Sequence, residues 1–212
     1  MNQKIRIKIL NILKDKNPNP IIELNFKSPF ELLISTLLSA QSTDIIVNKV
    51  TQKLYQEANT PEKFLKLGLN NIKKYIKPIG LYNIKALNII KTCHMLLEKY
   101  DGKIPENRIA LETLPGIGKK TANIILNIVF NQSTIAVDTH VFRVCNRTRF
   151  ATGKNVIQVE NKLLKVVPKS FKKNCHMWLV FHGRYTCKAR IPKCNLCIIN
   201  HLCASNTSYY KI

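Results

Sequence analysis

Lys120 is the residue of this chain best placed to do covalent chemistry. It lies in Leu114-Pro115-Gly116-Ile117-Gly118-Lys119-Lys120-Thr121-Ala122-Asn123, a glycine-rich turn that runs straight into a helical pattern. Ala122, Ile125, Leu126 and Val129 then recur at helical spacing. Two lysines in a first helical turn oppose the macrodipole, which favours anions there. Helix stability therefore does not select them. Bare amides at Gly116 and Gly118 can cradle a phosphate at the helix N-terminus. Lys119 or Lys120 can pair with that phosphate, and Lys120 has a second use. A nucleophilic lysine must be neutral, and at a pKa of ~10.4 only ~0.1% is neutral near pH 7.5. Partial burial, the helix N-terminus and the neighbouring cation Lys119 would all push the pKa down. A value some ~2 to 3 lower leaves roughly 10% or more ready to attack. Such an amine forms a Schiff base with a sugar C1′.

Ile135-Ala136-Val137-Asp138-Thr139-His140-Val141 sets a lone acid before an amphipathic stretch. Asp is a favoured N-cap, so a structural role suffices for Asp138. A cap can also hold a working carboxylate in place. When a base leaves a nucleotide the sugar becomes cationic, and a carboxylate stabilises that charge and helps manage a proton. Val141, Val144 and Cys145 share one face of the stretch, and Arg143 and Arg147 share another. His140 reads as a structural or hydrogen-bonding residue.

Cys187, Cys194, Cys197 and Cys203 have the pattern C-x6-C-x2-C-x5-C. Four closely spaced thiols suit zinc or an iron–sulfur cluster, and coordination logic alone leaves the two near parity. Between the first two ligands stand Lys188, Arg190 and Lys193. Tying both ends of that loop to a rigid centre would present these cations to a phosphate backbone. Cys93, Cys145 and Cys175 lie on apolar helical faces and read as core residues.

The elements that must position these groups are helices. Ser28-Pro29-Phe30-Glu31 has the form of a capping box, with Pro at the first helical position. Thr60-Pro61-Glu62 starts another helix, and Asn107 caps the one that leads to the glycine turn. Further helices are expected from Asp138, from Asn155 and around Phe171, Cys175, Trp178 and Leu179. Pro18 and Pro20 end the first helix, and Pro78-Ile79-Gly80 interrupts a later one. Ile135-Ala136-Val137 is the one tempting strand. Lys85-Ala86-Leu87-Asn88-Ile89-Ile90 faintly echoes Lys120-Thr121-Ala122-Asn123-Ile124-Ile125, as two amphipathic helices do by chance.

The 212 residues carry a formal charge of +22, from 34 Lys+Arg against 12 Asp+Glu. Such a surface attracts polyanions. A compositional bias towards Lys, Asn and Ile produces part of the same excess, so the charge is support only. With 45% apolar residues the chain can build a packed core. Arg6 and Lys8 interrupt any N-terminal apolar run, and no stretch is long and apolar enough to cross a membrane. The expectation is a cytoplasmic protein, nucleoid-associated through DNA, with cysteines serving as metal ligands.

Taken in order, the hairpin segment from Leu114 to Asn123, Val137-Asp138-Thr139-His140 and the cysteine spacing resemble the endonuclease III family of DNA glycosylases and abasic-site lyases. That family is part of the helix–hairpin–helix superfamily. The likeness extends from Glu23-Leu24-Asn25-Phe26 to Cys203. It implies an all-α, two-lobed helix–hairpin–helix glycosylase fold. One lobe, residues 22–132, would be a six-helix barrel with the hairpin at about 108–127. The other would join residues 1–21 to 133–212 and carry the cluster loop 187–203. The active site would lie in the cleft between them. The resemblance further implies a [4Fe-4S] cluster on the four cysteines, Lys120 as nucleophile and Asp138 as its acid partner. Gln41 and Leu81 match family positions that enter the DNA stack where the base leaves.

The reaction implied is removal of oxidised pyrimidines from duplex DNA, followed by β-elimination 3′ to the abasic site. The partner would be double-stranded DNA with damaged pyrimidines or abasic sites, and a monomer suffices. Mismatch adenine glycosylases share the core but lack a lysine at this position. A non-catalytic DNA-binding module would keep the hairpin and the cluster without needing Lys120.

Overall fold

The computed structural model describes residues 1–205. Among them are eleven α-helices, and no strand is formed. In chain order they are α1 (Gln3–Lys16), α2 (Pro29–Ser39), α3 (Asp44–Glu57), α4 (Pro61–Leu67), α5 (Leu69–Ile76), α6 (Tyr82–Tyr100), α7 (Arg108–Thr113), α8 (Lys119–Ile128), α9 (Thr139–Thr148), α10 (Val156–Val166) and α11 (Lys169–Phe181). The all-α expectation holds. The chain divides into two compact units, Ile22–Phe130 and Met1–Ile21 with Asn131–Ile212. The expected cluster lobe runs on to 212, and its residues 206–212 lie outside the described residues.

Helix starts follow the capping chemistry legible in the sequence. Ser28, Thr60, Asn107, Asp138 and Asn155 each cap a helix with a side-chain oxygen. The capping box at Ser28 closes differently from its usual form. Ser28 Oγ accepts from Glu31 N at 3.2 Å, but Glu31 Oε2 accepts from Lys27 N, one residue before the cap, at 2.5 Å. Ile135, Ala136 and Val137 are buried without strand pairing. The Ala136 carbonyl instead lies 2.7 Å from His176 Nδ1, so a side chain satisfies backbone that a ladder would otherwise use.

In the unit Ile22–Phe130 the core is continuous from α2 to α8. Phe30 and Phe64 meet edge to face at 5.3 Å, and Phe64 is fully buried. Helix α6 packs against α4 and α5 and buries Ala86, Ile89, Cys93 and Leu96. In the other unit α1 is held to the C-terminal part of the chain. Arg6 Nε donates to Phe150 O at 2.8 Å, Trp178 Nε1 donates to Asn17 O at 2.8 Å, and Gln3 Nε2 donates to Val166 O at 2.8 Å. Ile9, Leu10 and Leu13 enter the core formed by α9, α10 and α11. Cys93, Cys145 and Cys175 are fully buried, as their apolar surroundings in the sequence required. Burial pushes the Cys93 and Cys175 thiols up to about 12, which keeps them protonated and inert near neutral pH.

Candidate active site and cysteine centre

The glycine turn joins α7 to α8, and its two glycines have different reasons to be there. Gly116 has φ +81, a conformation that L side chains avoid. A Cβ there would also stand 2.8 Å from Asn88 Nδ2. The fold itself demands this glycine. Gly118 has an ordinary extended backbone (φ −100), and a Cβ on it would meet nothing within 4 Å. Nothing internal demands Gly118, so its bare backbone is free for an external group to approach closely. Gly116→Ala should therefore lower stability by on the order of 1–2 kcal/mol. Gly118→Ala should leave the melting temperature unchanged and weaken DNA binding. Paired thermal melts and binding titrations of the two variants check this.

The first turn of α8 has no side-chain cap at Gly118. Its leading amides are those that a helix leaves for an anion. Lys119 is half-buried, whereas Lys120 is exposed. The partial burial expected for Lys120 is thus not met, because its position on α8 faces away from the core residues Ala122, Ile125 and Leu126. The turn is supported from beneath by α6, where Thr92 Oγ1 donates to Pro115 O at 3.3 Å.

Gln41 and Leu81, distant in sequence, stand on adjacent loops. A Cβ on Gly80 would be 3.7 Å from Gln41 O. Both residues are exposed, and both have positive φ (56° and 59°). Left-handed backbone is costly for a bulky residue such as Leu81, and non-glycine strain of this kind collects at functional sites. Neither residue's sequence context signalled this.

Asp138 is the N-cap of α9, with Oδ1 accepting from Val141 N at 2.8 Å. The capping role is therefore present, and a carboxylate keeps a second oxygen for other work. Farther along α9, two arginines hold the cysteine loop. Arg143 donates from Nε to Cys187 O at 3.0 Å and from Nη2 to Gly183 O at 2.8 Å. Arg147 donates from Nη1 to Lys188 O at 2.8 Å and from Nη2 to Ala189 O at 3.1 Å. Its Nη1 also lies 3.5 Å from Cys187 Sγ. The i, i+4 spacing of Arg143 and Arg147 was visible in the sequence, but not what the pair grips. His140 contacts Arg143 Nη2 through Nδ1 at 3.1 Å, in keeping with a structural role.

Cys187, Cys194, Cys197 and Cys203 line one cavity of about 280 Å³, together with Arg147 and His182. Among the described residues no three Cys, His, Asp or Glu side chains converge on a point that would hold a single ion. Four thiols lining one cavity are a donor set for a soft metal centre, zinc or an iron–sulfur cluster. Burial pushes the Cys197 and Cys203 thiols up, so bound metal would have to displace their protons. His182 Nε2 lies 3.7 Å from Cys197 Sγ, and burial lowers its imidazole to about 4, leaving it neutral near pH 7. Sequence reading missed His182, which lies in an apolar run with no spacing to mark it. Lys188, Arg190 and Lys193 are exposed on the loop. Lys188 N and Lys193 N both donate to Thr186 O at 2.9 Å, which draws the loop's two ends together.

Comparison with known proteins agrees with this geometry. Residues 34–169 match the HhH-GPD superfamily of base excision DNA repair proteins. Endonuclease III of Escherichia coli K12 is 64% identical over 203 residues, which cover 96% of each chain. A solved structure described as a non-covalent endonuclease III–DNA complex has a TM-score of 0.94 at 40% identity, covering 100% of both chains. A second, described as a trapped endonuclease III–DNA covalent intermediate with an estranged adenine, has a TM-score of 0.92 at 40% identity, covering 99% of both. The chain therefore belongs to the endonuclease III family of helix–hairpin–helix base excision DNA repair proteins.

Proposed function

We propose that this protein is a bifunctional base-excision-repair enzyme, a DNA N-glycosylase and abasic-site lyase acting on oxidised pyrimidines in duplex DNA. The observation that carries the reading is the exposed Lys120 in the first turn of α8, directly after the hairpin. Amides of Gly116 and Gly118, with Lys119, bind a DNA phosphate. Gln41 and Leu81 enter the stack, and the damaged nucleotide turns outward.

Lys120 Nζ attacks C1′ of that nucleotide and the base departs with its bonding electrons. Asp138 stabilises the cationic sugar and manages the amine's proton. The sugar ring then opens: the C1′–O4′ bond breaks, O4′ takes up a proton, and C1′ becomes an iminium with Nζ, which acidifies the C2′ proton. Its removal expels the 3′ phosphate by β-elimination, and hydrolysis of the imine returns the free amine. A single chain suffices for each step. The lysine separates this reading from that of a mismatch adenine glycosylase, and covalent turnover separates it from that of a passive DNA-binding module.

Cys187, Cys194, Cys197 and Cys203 would hold a [4Fe-4S] cluster. When bound, the cluster supplies a rigid cross-link that closes both ends of the loop. Lys188, Arg190 and Lys193 then contact the DNA backbone. Lys193→Glu should weaken binding and flatten the dependence of log K on log salt by about one to two phosphate contacts. An unchanged slope removes this loop from the interface.

The reading places the protein where DNA is, in the cytoplasm of a bacterial cell. No helix among the described residues is long and apolar enough to cross a membrane. The enzymatic reading is tested with a duplex carrying one oxidised pyrimidine. It predicts release of the free base and a 5′ fragment ending in an unsaturated aldehyde. Base release with no strand cleavage would reduce the protein to a monofunctional glycosylase.

A further inference from the structure

Lys85 is a buried cation that neither the hairpin nor the cysteine centre uses. It is 6% exposed and lies on α6, four residues after Leu81. Its ammonium donates to Leu38 O at 2.9 Å, to Ala40 O at 2.5 Å and to Ser42 Oγ at 3.3 Å. These contacts account for all of its donors. Leu38 and Ala40 end α2, so the cation sits at the negative pole of that helix. Capping alone is a poor reason to remove an ammonium from water. The end of α2 at Ala40 is exposed, and solvent satisfies such carbonyls at little cost.

The contacts do something more specific. They span 43 to 47 residues of sequence and enclose Gln41 between two anchored neighbours. Gln41 holds a left-handed backbone that an unpinned loop would relax. The same helix carries Leu81 as its left-handed N-cap, and Lys85 N donates back to Leu81 O at 3.1 Å. One turn on, Asn88 lies beneath Gly116, and two turns on, Thr92 holds Pro115 O. Leu81, Lys85, Asn88 and Thr92 follow one another at spacings of four, three and four, one stripe of a helix. Helix α6 thus sets the Gln41 loop, Leu81 and the hairpin in a common frame.

We propose that Lys85 is a positioning residue that clamps the Gln41 loop beside Leu81, so that both side chains enter the DNA stack together. The inference rests on the reading of Gln41 and Leu81 as inserting residues, and the test separates the two. The probe is a duplex with 2-aminopurine opposite a tetrahydrofuran abasic analogue, whose fluorescence rises when the opposite base is unstacked. At saturating protein, Lys85→Met should lose at least about two-thirds of the rise seen with the unaltered protein, while the complex still forms. Gln41→Ala/Leu81→Ala should lose it as well. If the double variant loses the signal and folded Lys85→Met keeps it, the clamp is overturned while insertion stands. If the double variant keeps the full signal, insertion itself fails. Should Lys85→Met not fold, Ser42→Ala removes one of the three acceptors without touching the core. It should lower the rise measurably, and an unchanged rise would overturn the clamp.

Discussion

Lys120→Ala is expected to reduce strand cleavage at an abasic site by about 10³-fold or more, since the variant has no amine to form the imine. The side chain is exposed, so stability should change by no more than the small range of surface substitutions, about 0.5 kcal/mol. DNA affinity should fall by no more than about one phosphate contact's share. Lys120→Arg should not restore cleavage, because a guanidinium stays protonated and cannot attack. Single-turnover cleavage of a duplex with one abasic site, measured alongside equilibrium binding, checks all three. Near-normal cleavage by Lys120→Ala would move the chemistry to another group.

The second large effect belongs to Asp138. Asp138→Asn should slow base removal by about 10²–10⁴-fold, the range of a positioned carboxylate in acid–base or charge-stabilising work. This substitution is informative because Asn caps helices as well as Asp does. The bond from side-chain oxygen to Val141 N can persist, so fold and cap remain while the charge is lost. Asp138→Ala loses both, and should cost about a further 1 kcal/mol of stability. Base-release kinetics and thermal melts of the two variants separate charge from cap. Equal activity in Asp138→Asn and the unaltered protein would leave Asp138 a cap only.

Much of this arrangement was legible in the residue order where local rules govern it. Caps at Ser28, Thr60, Asn107, Asp138 and Asn155 are short-range hydrogen bonds, so type and spacing announce them. Gly116 and the cysteine quartet announce themselves for the same reason, one through φ and the other through ligand spacing. The residues that escaped notice act through contacts distant in sequence. Lys85 and Lys120 begin similar strings of residues, yet Lys85 is buried against carbonyls of α2 while Lys120 is exposed on α8. Only tertiary packing distinguishes them. A charged residue on the stripe Lys85, Ile89, Cys93 and Leu96 was the available signal. His182 offered none, because its partner Sγ comes from fifteen residues along the chain. The tempting strand at 135–137 does not form, in keeping with the all-α expectation: β-branched residues fit any buried extended segment, and among the described residues no second segment pairs with this one.

The central claim is that the Lys120 amine bonds covalently to a sugar carbon, and borohydride reduction during turnover tests it most directly. Incubating the protein with an abasic-site duplex and borohydride should yield a stable protein–DNA adduct. Peptide mapping should place the modification on Lys120, and Lys120→Ala should form none. A folded, DNA-bound protein that gives no adduct, or an adduct mapped to another amine, would contradict the account.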